Sequence, residues 1–175
     1  MAHGVVRTDL MYGTDVRAGL VSVKYFVSAV VDEETVKTPT EIDNGNVLLL
    51  GELMEGEREI YEGSAPAANS SLNDVVLVAS PEVMYDERLR NLSDYYNVAG
   101  KACRGYRLHK WDIFSVTKDA LDGKAEPEVG DIVELKAGTK LNVAASATNG
   151  STQVGKIIAI DVVGKDTLYA IRVNE

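Results

Sequence analysis

Lys140-Leu-Asn-Val-Ala-Ala145 and Thr167-Leu-Tyr-Ala-Ile-Arg-Val173 are the stretches that decide the fold class of this chain. In each of them every second residue is apolar and falls on one face: Leu141, Val143 and Ala145 in the first, Tyr169, Ile171 and Val173 in the second. A period of two residues is typical of β-strands that are buried on one side. We therefore expect a small β-barrel or sandwich at the C-terminus.

Strand patterns also occupy the chain upstream of this unit. A strand is predicted over 19–31, where one face carries Val21, Val23, Tyr25 and Val27. Val47-Leu-Leu-Leu50 and Asp74-Val-Val-Leu-Val-Ala79 are apolar at successive positions, which is typical of strands buried on both faces. The chain is therefore predicted to be mainly β.

Turn residues give further expectations about the strands. Asn44-Gly45 predicts a two-residue hairpin between strands at 36–42 and 47–53, because both residues tolerate a positive φ. Asp122-Gly123 predicts another turn. Gly155 lies inside a predicted strand, which indicates a bulge or a tight bend.

One short helical segment is expected in the β-rich N-terminal part. Ser80-Pro81 is typical of a helix start, and Gly100 is a plausible end. Between them, apolar residues recur at helical spacing: Tyr85, Leu89, Leu92 and Tyr96. The alternative is two short helices that are broken near Asn91.

These patterns predict three regions. Residues 1–18 have few paired apolar side chains and form an N-terminal arm that could order only against a neighbour. Residues 19–126 form the β-rich region with the short helix, and residues 127–175 form the barrel or sandwich unit. The charged segment 124–128 is the linker between them, and it is short enough for the two units to share one core.

Composition argues against several classes of protein. The net charge of −9 lacks the basic footprint of a general nucleic-acid binder, and an anionic membrane surface would repel it. One cysteine, Cys103, and two histidines leave neither a disulfide nor a convincing metal site, so we expect no cofactor and no metal. The sequence has no signal peptide and no apolar run of membrane-spanning length, which predicts synthesis in a cytoplasm and no membrane partner.

No catalytic motif stands out, and we expect that the protein is not an enzyme. Cys103, His109 and Asp112 are the only candidates for a nucleophile, a base and its orienting group, and their spacing is not diagnostic. Acid–base catalysis by a pair of carboxylates stays an alternative, because the chain has 27 acidic residues.

Cations and aromatic residues interleave between 101 and 111, in contrast to the acidic remainder of the chain. Arginine forks and aromatic rings often anchor interfaces, so this stretch is a candidate contact surface for a protein partner. The alternatives are neutralisation of the chain's own carboxylates, a nucleic-acid contact, and a core position for the tryptophan. With two arginines of the arm, the candidate contact residues are Arg7, Arg17, Lys101, Arg104, Arg107, Lys110 and Trp111.

The order of several phrases resembles a family of small virion proteins of tailed bacteriophages. The phrases are Gly4-Val-Val-Arg-Thr-Asp9, Ala99-Gly-Lys-Ala-Cys-Arg-Gly-Tyr-Arg-Leu108, Asp112-Ile-Phe-Ser-Val-Thr117, Val129-Gly-Asp-Ile-Val-Glu-Leu-Lys-Ala-Gly-Thr-Lys-Leu141 and Val154-Gly-Lys-Ile-Ile-Ala-Ile160. These proteins are encoded beside the major capsid protein and are regarded as head decoration, cement or head-fibre-associated proteins.

The resemblance implies a capsid decoration protein that binds the outer surface of the virion head and stabilises the shell. Its implied partners are the major capsid protein and other copies of itself, after synthesis in the cytoplasm of the bacterial host. Another virion component, such as a neck, tail or shell subunit, is one alternative. A glycan-binding head ornament is another, with five candidate stacking rings: Tyr61, Tyr95, Tyr96, Tyr106 and Trp111.

Overall fold

The computed structural model describes Gly4, Val6 and residues 20–31, 34–83 and 94–174. The predicted mainly β class is confirmed. The strands are β1 Leu20–Val31, β2 Glu34–Pro39, β3 Val47–Leu53, β4 Ile60–Ser64, β5 Val75–Val78, β6 Cys103–Arg107, β7 Ile113–Thr117, β8 Leu121–Gly123, β9 Ile132–Glu134, β10 Leu141–Ala144, β11 Gln153–Val163 and β12 Asp166–Val173. Short 3-10 turns at Leu72–Asp74 and Lys118–Ala120 interrupt them.

The first sheet closes into a five-stranded barrel. Its strand order is β2-β1-β4-β3-β5-β6, and β6 also pairs with β1. The β1–β4 pair is parallel, and the other pairs of the ring are antiparallel. Because β2 pairs with β1 outside this ring, every residue of β2 is exposed. Val27, predicted on the buried face of β1, is exposed for the same reason.

The second sheet is a curled half-barrel. Its strand order is β7-β12-β11-β9-β10-β8, and its edge strands β7 and β8 do not pair with each other. The closed barrel is therefore built by the N-terminal strands, and the C-terminal strands form the open sheet. This sheet takes β7 and β8 from before position 127, so it does not coincide with the region 127–175, and the division into regions stays a prediction.

Strands β3 and β5 form a wall between two cores, and we call them the shared wall. One set of their side chains enters the core between the two sheets: Val47, Val75 and Leu77. The alternate set enters the interior of the barrel: Leu48, Val76 and Val78. The predicted burial of both strands on both faces is confirmed, and the two sheets share a core.

The start of the chain also reaches this shared core. Val6 is fully buried among its apolar side chains and forms an antiparallel bridge with Val116 of β7. The expectation that the arm orders only against a neighbour is wrong for this residue, because an apolar side chain beside an open sheet edge gains burial within its own chain. Apart from Gly4 and Val6, the predicted arm 1–18 lies outside the described residues.

The predicted hairpin at Asn44-Gly45 is wrong. A turn is present, but β2 pairs with β1 and β3 pairs with β4 and β5. Asn44 is buried, and its side chain accepts from the Ser80 amide (3.0 Å) and donates to the Ser80 carbonyl (2.8 Å). The Gly45 amide donates to the carbonyl of Val78 (2.8 Å). These bonds join the turn to the end of β5, so the backbone partners of the turn lie in a distant strand.

The predicted turn at Asp122-Gly123 is also wrong, because both residues belong to β8. This short strand runs parallel to β10, with Leu121 opposite Leu141. Burial of Leu121 in the shared core holds the segment against the sheet. Gly123 nevertheless keeps the positive φ (+85°) that its sequence signal indicates.

Most of the predicted helix between Ser80 and Gly100 falls on 84–93, outside the described residues. The flanks are described and are not helical at 81–83 or 95–97. Asn97 instead forms a backbone bridge with Ile42, and its side chain donates to Asn44 Oδ1 (3.1 Å). Because Asn97 is held in this bridge, its neighbour Tyr96 is not part of the predicted helix that begins at Pro81.

Gly155 marks a bulge, as predicted. The register of β11 against β9 shifts between Gln153 and Gly155. A Cβ atom at Gly155 would lie 2.2 Å from the carbonyl oxygen of Arg172 on β12. Only glycine permits this approach of two backbones.

Truncating the shared wall should destabilise both sheets at once. We expect Leu77→Ala and Leu48→Ala, which open cavities on opposite sides of the wall, each to lower the free energy of unfolding by about 2–5 kcal/mol. Urea unfolding followed by Trp111 fluorescence and by far-UV circular dichroism should give one coincident transition for each variant. Two separate transitions would show that the sheets fold independently.

Gly155→Ala tests the bulge against a matched glycine. Gly56 has a positive φ (+78°) but free space around it, so Gly56→Ala should cost about 1 kcal/mol from backbone strain alone. Gly155→Ala should cost at least about 2 kcal/mol more, because the β11–β12 backbones must separate. Equal costs, measured by urea unfolding, would contradict the close approach.

Candidate functional site

The candidate contact residues fall on two surfaces. Arg7 and Arg17 lie outside the described residues. Lys101, Arg104 and Arg107 lie at or along β6, and the structure places them beside two neighbouring clefts that share lining residues. The remaining two, Lys110 and Trp111, lie on the turn that leads from β6 into β7.

The turn His109–Asp112 is fixed by backbone and side-chain hydrogen bonds. The Asp112 amide donates to the carbonyl of His109 (3.0 Å), and the Asp112 carboxylate accepts from the His109 amide (2.9 Å). The end of β12 holds the turn from the other side. There the Trp111 amide donates to the Val173 carbonyl (3.1 Å), and the Val173 amide donates to the Asp112 carbonyl (2.9 Å). We call His109–Asp112 the Trp111 turn.

Trp111 is held in a strained backbone conformation and is largely exposed. Its φ is +76°, and no other non-glycine residue in the described ranges has a positive φ. A left-handed conformation costs a bulky residue about 1–2 kcal/mol. The residue is 60% exposed, so a core position for the ring is wrong. Strain that presents a large apolar ring to solvent favours a role in binding.

Two cations lie against the indole ring. The Nζ of Lys110 is 5.9 Å from the ring centroid, and the Cζ of Arg172 is 5.3 Å from it. Both distances are within the range of cation–π attraction. The Nε of Arg172 is buried and has no hydrogen-bond partner among the described residues. A partner that brought a carboxylate to this ring would meet two positive charges and an apolar face.

Arg172 is a residue of this surface that the sequence does not indicate. This residue lies on β12, opposite Ile113 of β7, and only this strand pairing brings it to the Trp111 turn. The alternating pattern of β12 indicates that Arg172 is not on the apolar face, but nothing local connects it with the tryptophan.

Arg104 separates two clefts on the outside of the barrel. The larger has a volume of about 490 Å³, and Arg58, Arg104 and Arg107 line it together with Ser22 and Tyr61. We call it the Arg104 groove. The smaller cleft, of about 360 Å³, lies on the other side and is lined by Lys101, Arg104, Ser22 and Ser80. The antiparallel pairing of β1 with β6 places Ser22 opposite Arg104, so both clefts share these two residues.

The cations of this surface are not neutralised by the described part of the chain. Arg107 donates through Nη1 to the carbonyl of Asn73 (3.1 Å). Arg58, Lys101 and Arg104 form no ion pair with any described residue. Lys101 and Arg104 therefore neutralise no carboxylate of the described residues through a direct ion pair. Arg58 also lines the groove but is not among the residues predicted from the sequence, because only the path of the β3–β4 connection brings it there.

Cys103 and His109 are not assembled as a nucleophile and a base. Cys103 lies inside the barrel, where its thiol donates to the Val23 carbonyl (3.2 Å). Burial raises the pKa of this thiol to about 12, which disfavours a thiolate. His109 lies beyond the other end of β6, a strand about 13 Å long, and is bound to Asp112.

The candidate stacking rings differ in exposure. Trp111 is the exposed member of the five. Tyr95 is buried, and its hydroxyl donates to Asn97 Oδ1 (3.2 Å). Tyr106 packs against the shared core, Tyr61 lines the Arg104 groove, and Tyr96 is half-buried. The rings do not form one exposed platform.

The described ranges contain no group of three or more metal-ligating side chains and no helix with the length and apolarity of a membrane span. Comparison of the chain with protein-family models, with curated proteins and with solved structures gives no match.

Substitution of Trp111 separates backbone strain from the role of the ring. Both Trp111→Gly and Trp111→Ala remove the indole, but only glycine relieves the positive φ. We expect Trp111→Gly to be more stable than Trp111→Ala by about 0.5–1 kcal/mol in urea unfolding. Equal stability, or a more stable alanine variant, would show that the left-handed turn is not strained.

Proposed function

We propose that this protein is a capsid decoration protein of a tailed bacteriophage, which binds the outer surface of the head and stabilises the shell. The observation that carries the proposal is the Trp111 turn, where a strained backbone holds an exposed indole between Lys110 and Arg172. The resemblance of the chain's phrases to head decoration proteins supplies the identity of the partner, the major capsid protein.

The Trp111 turn has the composition of an interface anchor. Tryptophan and arginine are the residues that most often dominate binding energy when a partner covers them. In the free chain the ring is exposed to water, and the two cations next to it would attract carboxylates of a shell subunit. The clamp formed by Asp112 and Val173 fixes the ring before binding, so little conformational entropy is lost on contact.

Stabilisation of a shell requires many modest contacts. Each copy of a cement protein would contribute one anchor of this kind, and repetition over the symmetric surface multiplies its effect. A net charge of −9 fits a position outside the shell, because it disfavours association with packaged DNA. We therefore expect neither nucleic acid nor membrane among the partners.

Two alternatives predict different observations. A neck, tail or shell component would have a copy number set by the symmetry of that assembly. A glycan-binding head ornament would use Trp111 as its stacking ring, because the other four candidates are buried or half-buried. Quantification of the protein in purified virions distinguishes the first alternative, and binding of the isolated protein to a glycan array distinguishes the second.

Binding to heads tests the proposal directly. Heads purified from a phage that lacks this gene should bind the wild-type protein in a co-sedimentation assay. Trp111→Gly should weaken this binding by about tenfold or more, as expected for loss of a hot-spot tryptophan. Val129→Ala is the matched control, because Val129 is also 60% exposed but lies in the connection between β8 and β9 and not in the Trp111 turn.

Three outcomes would contradict the proposal. Absence of the protein from mature particles, or failure of the wild type to bind heads, would exclude a decoration role. Equal binding by wild type and Trp111→Gly would remove the Trp111 turn from the interface.

A further inference from the structure

We infer that the Arg104 groove is a self-association surface, which binds the acidic β3–β4 turn of a second copy of this chain across a two-fold axis. The resemblance implies contact between copies without locating it; the inference assigns that contact to one surface from charge and geometry, and does not depend on a decoration role. It rests on two neighbouring surfaces of opposite charge that are both unpaired in the described part of the chain.

The groove supplies the positive surface. Arg58 and Arg104 line it, and neither forms an ion pair with a described residue. Arg107 also lines it and is held by the carbonyl of Asn73, a neutral acceptor that leaves its charge uncompensated. Glu59 also lines the groove, so its side chains carry three positive charges and one negative charge, a local reversal of sign in a chain with nine more acidic than basic residues.

The β3–β4 turn supplies the negative surface. In this turn, residues 54–59, Glu55 and Glu57 are exposed and form no ion pair with a described residue. Glu52, near the end of β3, is also exposed and forms none. The turn is internally hydrogen-bonded: the Glu57 amide donates to the Met54 carbonyl (3.0 Å), and the Met54 amide donates to the Ile60 carbonyl (2.9 Å). Its carboxylates are therefore presented by a defined backbone, which reduces the entropy lost on binding.

The two surfaces are adjacent in one chain. Arg58 and Glu59 connect the turn to β4, and both line the groove. The turn thus stands at one end of the groove without pairing with the groove's own arginines. When complementary surfaces are neighbours, a two-fold axis between them allows each copy to place its turn in the groove of the other. Both contacts form at once, so the turn of each copy meets the arginines of the other.

Charge favours a second copy as the occupant. Two chains of net charge −9 repel each other at long range. The groove is the surface where an acidic second copy would instead meet opposite charge. Each copy carries two turn carboxylates, Glu55 and Glu57, which can meet the excess positive charge of the groove.

Charge reversal tests this inference. Sedimentation equilibrium of the wild type in about 0.05 M NaCl should show a dimer, and about 0.5 M NaCl should weaken it because the Debye length falls from about 14 to about 4 Å. Arg58→Glu with Arg104→Glu, and separately Glu55→Lys with Glu57→Lys, should each raise the dissociation constant by about tenfold or more. Lys156→Glu with Lys165→Glu is the matched control, because it changes the net charge as the arginine variant does but lies on β11 and the β11–β12 turn.

Mixing the two reversed variants is the decisive measurement. In a mixed dimer, the reversed groove meets the reversed turn, and the native turn meets the native groove, so both contacts are attractive. A heterodimer that forms when neither variant dimerises alone would establish the pairing. A wild type that remains monomeric at low salt, or a mixture that remains monomeric, would overturn it.

The remaining outcomes separate this inference from the proposed function. Loss of head binding by the arginine variant while the wild type is monomeric would assign the groove to the shell and overturn self-association. Salt-sensitive binding of single-stranded DNA by a monomeric wild type, absent from the arginine variant, would assign it to nucleic acid and also overturn it. A dimer that does not bind heads would support self-association and contradict the decoration role.

Discussion

The shared wall of β3 and β5 is the constraint on which the structure depends. Its side chains alternate between the barrel interior and the core between the sheets, so each face of these two strands stabilises a different part of the molecule. A polar residue on either face would be buried without solvent, at a cost of roughly 1–3 kcal/mol if it found no hydrogen-bond partner. The closed barrel buries one face of the shared wall, and the curled second sheet buries the other.

The pairing of β6 with the shared wall also decides which side chains of the candidate surfaces are exposed. β6 closes the barrel against β1 and β5, so Cys103 faces the interior while Arg104 faces solvent. β7 belongs to the second sheet, so the connection between β6 and β7 crosses from one sheet to the other. The Trp111 turn lies in this crossing, and its hydrogen bonds with Val173 fix it to the end of β12. An exposed ring in a left-handed conformation is tolerated there because the backbone on both sides is held by the two sheets.

The negative net charge of the chain conceals local groups of unpaired cations. The chain carries a net charge of −9, yet Arg58, Lys101 and Arg104 have no anionic partner among the described residues, and Lys110 and Arg172 lie against an aromatic ring. Surface ion pairs contribute little to folding, so leaving these cations unpaired costs the fold little. In the proposed interfaces, opposite charges on a partner would meet these cations, guide its orientation and exclude wrong partners.

The sequence by itself determined the mainly β class and the burial of the doubly apolar strands, whereas it predicted a turn where β8 lies and placed Val27 on a buried face. The doubly apolar runs at 47–50 and 74–79 and the glycine bulge at Gly155 were predictable, because burial on a face and the absence of a Cβ are properties of single positions. Only the tertiary structure decided which strands pair. Asn44-Gly45 signals a turn, but buried hydrogen bonds with Ser80 direct that turn to β5. The candidate contacts follow the same division: the sequence identified Lys110 and Trp111, whereas Arg58 and Arg172 reach their surfaces through pairings between distant strands. Such pairings are set by the burial of whole sheets, which no local pattern encodes.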